Sequence, residues 1–504
     1  MTSQPVAVAE LATAAQADVI GDATLAVTDV VYDSRQVTPG ALFAALRGAD
    51  LDGHDYIAAA IGRGASALLV EHPVDAEIPQ LVVPNSRQAL AGVAGAFFRH
   101  PSREVGVIGV TGTDGKTTTS FILDHLLRTA GASTGMIGTV AIRIGDQEDL
   151  HAARQTTPES SDVQRYLRQM VDAGVDWAIV EATSHGLAMF RLDHVEFRAA
   201  ALTNITREHL DFHGTVENYR RAKAILLERV AARGGLVVTN ADDVGARAVE
   251  GYAGGATLLR YSLQDVLGDL RAEQLQTGEG GSTFVLATQT FGRAEVNFPL
   301  IGAFNVANAL CAAGVALGIG IPLSTVVAGL ESAPGVPGRM ARVDEGQPFS
   351  VVVDYAHTPD SLEKLLRLLR SLHPDGRLIA VFGSAGERDR EKRPIQGAVA
   401  AELADVVVVT TEDPRFEDAD AIIAEIVAGA RASGQIDDAD LHTRTERQEA
   451  VDLAIALAAP GDCVLLAGKG HEGSIIWGRE KRPWNEAEAA RQALRQRGFG
   501  TGNG

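Results

Sequence analysis

The run Gly112-Thr113-Asp114-Gly115-Lys116-Thr117-Thr118 constrains this chain more than any other feature. It follows the apolar run Val105–Val110 and precedes the helix-like Thr119–Leu127, the strand–loop–helix setting that a phosphate-binding loop requires. The two glycines let backbone N–H groups turn toward phosphate oxygens, and the helix N-terminus adds partial positive charge. In such a loop Lys116 meets the β/γ-phosphates and Thr117 or Thr118 holds Mg2+. The strict pattern has a further glycine where this chain has Val110, so the loop is the shortened form GxxGK[ST]. The competing reading is an ordinary glycine turn before a helix, and the flanking elements favour the phosphate loop.

Around this loop, short apolar runs alternate with helical stretches. Trp177–Val180, Ala199–Leu202 and Leu236–Thr239 read as further strands of parallel β-α-β units, and Gly251–Pro299, richer in Gly and Thr, as antiparallel decoration. The breaker cluster Pro334-Gly335-Val336-Pro337-Gly338 closes this region. Before it, Ala67–Val70 and Leu81–Val83 alternate with the helical Arg87–Phe98, and His100-Pro101-Ser102 reads as a linker. After it come four buried-strand candidates, Ser350–Val353, Leu378–Phe382, Val406–Thr410 and Cys463–Ala467. Leu362, Leu365, Leu366 and Leu369 recur at helical spacing behind Thr358 as N-cap and Pro359 at the first helical position. The expectation is an α/β protein of three α/β domains: 1–102, a central domain 103–338 with a parallel sheet, and a Rossmann-like domain 339–504. The length of 504 residues agrees, at about 150 residues per domain.

The chain has 65 acidic against 45 basic residues, a formal charge of −20, which argues against a nucleic-acid binder. Backbone N–H groups still permit a local phosphate site. With 46% apolar residues, wholesale disorder is excluded. Cys311 and Cys463 are too few for a metal cluster or a disulfide framework, so a reducing compartment fits. No run of 18 apolar residues is present, and residues 1–16 lack the basic start and long apolar run of a signal peptide. The Gly-rich tail 498–504 is expected to fray. A cytoplasmic monomer is expected.

Polar residues collect at the strand ends, where ligands of parallel sheets bind. Glu181 follows Trp177–Val180 and could hold Mg2+; by itself it reads equally as a solvated carboxylate. Ser184-His185-Gly186 comes three residues on. Glu208, His209, Asp211 and His213 put two acids and two histidines within six residues, a pattern that favours a metal role. Lys223, on the helical Tyr219–Leu227, reads from its spacing as a surface lysine. In the third region the segments 354–359, 383–390 and 468–472 end three strands and should converge on one crevice.

Taken together, GTDGKTT, YRRAKAILLE, GAFNVANALCA, DYAHTPDSLE, GERDREKRP and GKGHE stand in the order of the Mur ligase family of peptidoglycan synthesis, which this chain resembles over nearly its whole length. With Asp33-Ser34-Arg35, the last three resemble most closely the branch that adds a diamino acid to UDP-N-acetylmuramoyl-L-alanyl-D-glutamate. The resemblance implies an ATP-dependent ligase acting through an acyl phosphate. It implies that Gly112, Thr113, Asp114, Gly115, Lys116, Thr117 and Thr118 bind ATP, with Asn305 at the adenine and Asp354 at the ribose. It implies Mg2+ held by Thr117, Glu181, His209 and Lys223, the last as a CO2-derived carbamate (N6-carboxylysine). Ser34, Thr156, Thr157, Ser184 and Arg191 would contact the UDP-sugar substrate, and Arg388, Asp413, Arg415, Gly468 and Glu472 the incoming amino acid.

Three departures stand out. Met189 replaces a frequent glutamine after the SHG segment, and Glu208 a frequent aspartate. Where diaminopimelate enzymes of the family typically show Asp-Asn-Pro-Arg, this chain has Glu412-Asp413-Pro414-Arg415. Arg415 can bind a distal carboxylate bidentately, whereas an anion at Asp413 would repel that carboxylate and favour an ammonium. Meso-2,6-diaminopimelate is the preferred reading, with L-lysine and L-ornithine as alternatives. Among rivals, folylpolyglutamate synthetase lacks a domain like residues 1–102, and cyanophycin synthetase carries an additional ATP-grasp region. A non-catalytic nucleotide-binding module would not need Lys223, His209 and Arg388.

Overall fold

The computed structural model describes residues 4–48, 51–149, 155–264, 268–278, 280–434 and 439–500; residues 1–3 and the tail end 501–504 lie outside them. Three main sheets follow one another along the chain. The first has five strands, in the order Asp18–Ile20, Gln80–Val82, Ala67–Val70, Ala41–Ala44 and Asp29–Val31. The second has eleven strands and the third six.

The middle sheet positions the site. Its parallel heart runs Thr134–Ile137, Trp177–Glu181, Gly106–Thr111, Phe197–Leu202, Leu236–Asn240 and Thr257–Ser262. These strands are almost wholly apolar because helices cover both faces. Helices Lys116–Thr129 and Ala303–Gly318 bury one face through Ile122, Leu123, Leu126 and Leu310. Helices Ser160–Asp172 and Val216–Ala231 bury the other through Leu167, Met170, Leu226 and Leu227. The decoration expected over 251–299 is only partly antiparallel. Thr257–Ser262 extends the parallel sheet, because helix Val244–Val249 carries the chain back to the same edge, and only Gly281–Thr288 and Arg293–Phe298 run antiparallel. Residues 265–267 and 279 of that stretch lie outside the described residues.

In the third sheet Ser350–Asp354, Cys463–Ala467, Leu378–Phe382, Val406–Thr410 and Leu441–Arg444 lie side by side and parallel. Their carboxyl ends therefore share one edge, and the loops at 354–359, 383–390, 411–417 and 468–472 emerge together. Helix Pro359–Leu372 begins as expected, with a capping box between Thr358 and Ser361, and buries Leu362, Leu365, Leu366 and Leu369.

Side chains tie the three parts together. The N-terminal part meets the central sheet's helix through Arg165 Nη2 to Val30 O (3.0 Å) and Tyr32 Oη to Asp162 Oδ2 (3.2 Å). The central part meets the C-terminal part through Arg207 and Glu391 (2.9 Å) and through Glu208 and His357 (3.7 Å). No helix among the described residues is long and apolar enough to cross a membrane.

Candidate active site

Strand Gly106–Thr111 ends in the loop, and the helix starts at Lys116, so Lys116, Thr117 and Thr118 occupy its first turn. Gly115 has φ +82°, and a Cβ there would lie 2.3 Å from Asn308 Oδ1; at Gly112 it would lie 1.9 Å from Thr203 Oγ1. The loop is braced from behind. Asn204 Oδ1 accepts from Asp114 N (2.9 Å), Asn204 O from Thr113 N (2.8 Å), and Thr113 Oγ1 from Thr206 N (3.0 Å). Lys116 Nζ folds over the loop and donates to Gly112 O (3.0 Å) and Thr113 O (2.7 Å). These are weak holds on a cation that phosphate oxygens would compete for. Burial, with Glu208 nearby, raises the Asp114 carboxyl above its ordinary range.

Glu181 is the last residue of its strand and is fully buried. Its Oε2 accepts from Thr117 Oγ1 (3.2 Å) and Thr139 Oγ1 (2.8 Å). It is thus a fixed acceptor behind the phosphate loop rather than a solvated strand end. Gly138 has to be glycine for this, since a Cβ would sit 2.5 Å from Glu181 Oε1.

Lys223 is 2% exposed, which corrects its reading as a surface lysine. Tyr219, Ala222, Lys223, Leu226, Leu227 and Val230 form the buried stripe of their helix. That stripe was legible in the sequence: Lys223 occupies an apolar position, four residues from Tyr219 and Leu227. Its Nζ donates to Gly112 O (2.6 Å) and lies 4.7 Å from the Tyr219 ring centre. Burial, reinforced by the Lys116 cation, pushes its amine well below the usual lysine range.

The run Glu208–His213 does not form the metal cluster its composition favoured. Among the described residues no group of three or more His, Cys, Asp or Glu side chains is placed to hold a metal ion. His209 adopts φ +54° at the start of the short helix Leu210–His213, and this turn splits the run. His213 goes inward against Tyr219 (ring centres 5.3 Å apart), and Glu208 turns to His357. Burial would raise Glu208, but its contact with His357 and the His209 and Lys116 charges outweigh it and hold the carboxyl below its usual range. His209 faces His185 edge-on at 4.7 Å, and burial lowers its pKa. The candidates for Mg2+ are a hard-oxygen pair beside the phosphate loop, Thr117 and Glu181, with His209 lining the same cavity as Thr117. That suits an ion that takes most of its ligands from phosphates and water.

One cavity of about 1040 Å³ joins these groups to the C-terminal loops. Its lining includes the loop from Thr113 to Thr118, Thr156, His209, Asn305, Asp354, Arg388, Asp413, Arg415 and Glu472. Asp354 is half committed: Oδ2 accepts from Met340 N and Oδ1 from Ala356 N, both at 2.7 Å. Burial raises its carboxyl above the ordinary range. Asn305 Nδ2 donates to Ile301 O (2.8 Å).

The five residues expected at the UDP-sugar are not brought to one surface. Thr156 lines the cavity, its Oγ1 3.1 Å from Thr139 Oγ1. Thr157 and Ser184 are buried behind it, Thr157 Oγ1 donating to Glu181 O (2.8 Å). Arg191 is 8% exposed and ion-paired to Glu159 (3.1 Å), which also meets Arg87 of the N-terminal part. Ser34 lies in a short 3-10 turn, away from the cavity lining. Sequence reasoning missed Thr139, Thr203, Asn204, Asn308 and His357. Of these His357 and Asn308 stood inside the quoted motifs DYAHTPDSLE and GAFNVANALCA without being singled out; Thr139, Thr203 and Asn204 lie outside the quoted motifs.

At the C-terminal end of the cavity Arg388 and Arg415 both line the wall. Burial and the Arg415 charge push Arg388 below the usual arginine range, and Arg415 Nε is buried without a hydrogen-bond partner. Asp413 is not a free anion there. Its Oδ1 accepts from Lys469 Nζ (2.9 Å) and from Ile476 N (2.9 Å). Lys469 is fully buried and also pairs with Glu472, whose Oε1 accepts from Tyr355 Oη (3.2 Å). Burial would lower Lys469, but Glu472 and Asp413 outweigh it and raise the amine, so it stays charged. Burial pushes Glu472 up against the pull of Lys469.

Comparison with known proteins matches three successive stretches. Residues 26–98 match the Mur ligase family catalytic domain, 110–316 the Mur ligase middle domain, and 338–470 the Mur ligase glutamate ligase domain. The chain belongs to the Mur ligase family. It is 49% identical over 489 residues to a UDP-N-acetylmuramyl-tripeptide synthetase of Roseiflexus sp. (strain RS-1), covering 94% of this chain and 96% of that one. It is 41% identical over 473 residues to a UDP-N-acetylmuramoyl-L-alanyl-D-glutamate–2,6-diaminopimelate ligase of Bacillus licheniformis, covering 93% and 94%. A solved structure of a ligase of that second name superposes with a TM-score of 0.67 at 30% identity, over 98% of this chain and 99% of that one. As a Mur ligase, the chain is an ATP-dependent amide ligase with the family's three-domain α/β fold.

Proposed function

We propose that this Mur ligase joins meso-2,6-diaminopimelate to the γ-carboxylate of the D-glutamate in UDP-N-acetylmuramoyl-L-alanyl-D-glutamate, acting as a cytoplasmic monomer. The divisions at 102 and 338 separate UDP-substrate, ATP and amino-acid parts. One observation carries the reading: the phosphate loop and the Arg388–Arg415 pair face the same cavity from opposite domains. ATP lies along 112–118, with Asn305 at its base and Asp354 at its ribose. Lys116 leaves the Gly112 and Thr113 carbonyls for the phosphates. The substrate carboxylate oxygen attacks the γ-phosphorus and ADP departs, leaving an acyl phosphate. The amine of the amino acid attacks the acyl carbon, inorganic phosphate leaves, and an amide remains. The chain supplies positioning and charge neutralisation.

Thr117 and Glu181, with His209, would hold Mg2+, which when bound supplies neutralisation of phosphate charge. Lys223 fits the carbamate that its family resemblance implies, because only a neutral amine reacts with CO2, and burial favours the neutral form. Thr156 at the cavity lining, with Thr157, Ser184 and Arg191 buried, and Ser34 of the N-terminal part, would contact the UDP-sugar substrate as the family resemblance implies.

Arg388 and Arg415 favour an amino acid with two carboxylates, since each binds a carboxylate bidentately. The objection that an anionic Asp413 repels the distal one is weakened, since Asp413 faces the buried Lys469 ammonium that it shares with Glu472. The test is a product assay with ATP, Mg2+ and the UDP-dipeptide, offering meso-diaminopimelate, L-lysine and L-ornithine separately. A diaminopimelate adduct by mass is expected. A lysine or ornithine adduct in its place overturns the amino-acid assignment.

A further inference from the structure

The Glu412–Arg415 loop departs from the diaminopimelate pattern at a position that ought to decide specificity, so what compensates Asp413 matters. Its Oδ1 meets the Lys469 ammonium at 2.9 Å and the Ile476 amide at 2.9 Å. The first contact offsets its charge, Lys469 being shared with the Glu472 carboxylate. The second ties the loop to the hairpin Ser474–Trp477 and Glu480–Pro483. Lys469 is fully enclosed, so water does not screen the pair. A second backbone bond, from Arg415 N to Ile476 O (3.0 Å), fixes Arg415 to the same hairpin. Asp413 therefore faces inward to a buried cation, and Arg415, with its unpartnered Nε, remains the group available to an anion.

We propose that Lys469 determines amino-acid specificity: as the internal counter-ion of Asp413, it lets a loop carrying an acid accept a substrate whose distal centre bears a carboxylate. This rests on the amide-ligase reading above and deepens it. Lys469 acts as a positioning residue, through Asp413, without touching the substrate. Without its charge Asp413 is an uncompensated anion beside Arg415. The pocket then rejects a distal carboxylate and prefers a lone ammonium.

The experiment measures kcat/KM for meso-diaminopimelate and for L-lysine in the full-length protein, with ATP and UDP-dipeptide saturating. In Lys469→Met the diaminopimelate-to-lysine ratio is expected to fall by about tenfold or more, the scale of one uncompensated charge at a binding site. Adding Asp413→Asn to Lys469→Met should restore most of the ratio, which a purely structural role of Lys469 would not do. Equal losses for both amino acids, with no restoration in the double variant, overturn the proposal. If Lys469→Met does not fold, Asp413→Asn alone decides. Its ratio should stay within about threefold of wild type, because the removed charge was already offset. A rise of about tenfold or more shows that Asp413 was repelling the carboxylate and overturns the proposal. A wild type that adds L-lysine rather than diaminopimelate overturns it too. A wild type that forms no adduct with any diamino acid instead fails the parent reading, and this inference with it.

Discussion

Arg447 and Glu486 form an ion pair with both side chains fully buried beneath the amino-acid loops. The contact is bidentate: Nε donates to Oε2 at 2.9 Å and Nη2 to Oε1 at 2.7 Å. The same guanidinium donates to Thr411 O (3.0 Å) and Ala467 O (2.8 Å), the carbonyls just before Glu412 and Gly468. Arg447→Met keeps the bulk but leaves the Glu486 carboxylate without its counter-ion, holding only the Trp484 Nε1 hydrogen bond (2.6 Å), and strands two carbonyls. Breaking one side of a buried pair costs about 3–5 kcal/mol. In a domain of this size that lowers the melting temperature by about 6–20 °C. Adding Glu486→Gln removes the stranded charge and should recover at least about half of the loss, because a neutral amide is far cheaper to bury. Thermal and urea unfolding of the three variants give the numbers. KM for the amino acid should rise in Arg447→Met at temperatures where it is folded, with KM for ATP nearly unchanged. A loss below about 1 kcal/mol, or a double variant no better than the single, would refute the claim that this pair supports both loops.

Four further outcomes are expected. Lys116→Ala should abolish phosphate release, and retained turnover would remove Lys116 from ATP chemistry. Lys223→Ala should be nearly inactive and partly rescued by small carboxylates; a fully active variant would exclude the carbamate. Arg415→Ala should lower kcat/KM for diaminopimelate by about tenfold more than for lysine, as expected for losing one charged contact, and an equal loss would take Arg415 out of selectivity. His357 should titrate above 6.5: burial lowers it, but the Glu208 carboxylate 3.7 Å away outweighs that. Its contribution to stability is then full below pH 6.5 and is lost as pH rises through the raised value. Glu208→Gln should lower the His357 pKa, leaving burial and the Lys392 charge against Glu412; ring-proton shifts against pH read this directly, and an unchanged value would mean that Glu208 is not its partner.

Much of this fold was legible because its strands are buried on both faces. Leu378–Phe382, Val406–Thr410 and Cys463–Ala467 have the bounds expected of them, since continuous apolar runs between turn residues leave little choice. Thr134–Ile137 passed unnoticed because Thr134 and Gly135 dilute its apolar signal, and Leu441–Arg444 because its last two residues are exposed at the sheet edge. In the site, the phosphate loop was legible as a local pattern. Glu181 was placed at the right strand end, but its burial depends on Thr139 and Gly138, more than forty residues away in sequence. Asp413 was misjudged for the same reason: its charge was visible, but its partner Lys469 stands 56 residues on. Spacing reveals which face a residue occupies, as it could have for Lys223, but not which distant side chain meets it there.

The acyl phosphate is the step on which the whole arrangement converges, and oxygen labelling tests it directly. The D-glutamate γ-carboxylate of the UDP-dipeptide is labelled with 18O, and the inorganic phosphate released with ATP and diaminopimelate is analysed by mass. The account predicts one carboxylate oxygen in each phosphate released, with the other retained in the new amide. Unlabelled phosphate accompanying amide formation would mean that the carboxylate never attacked the γ-phosphorus, and would contradict the mechanism assigned to this cavity.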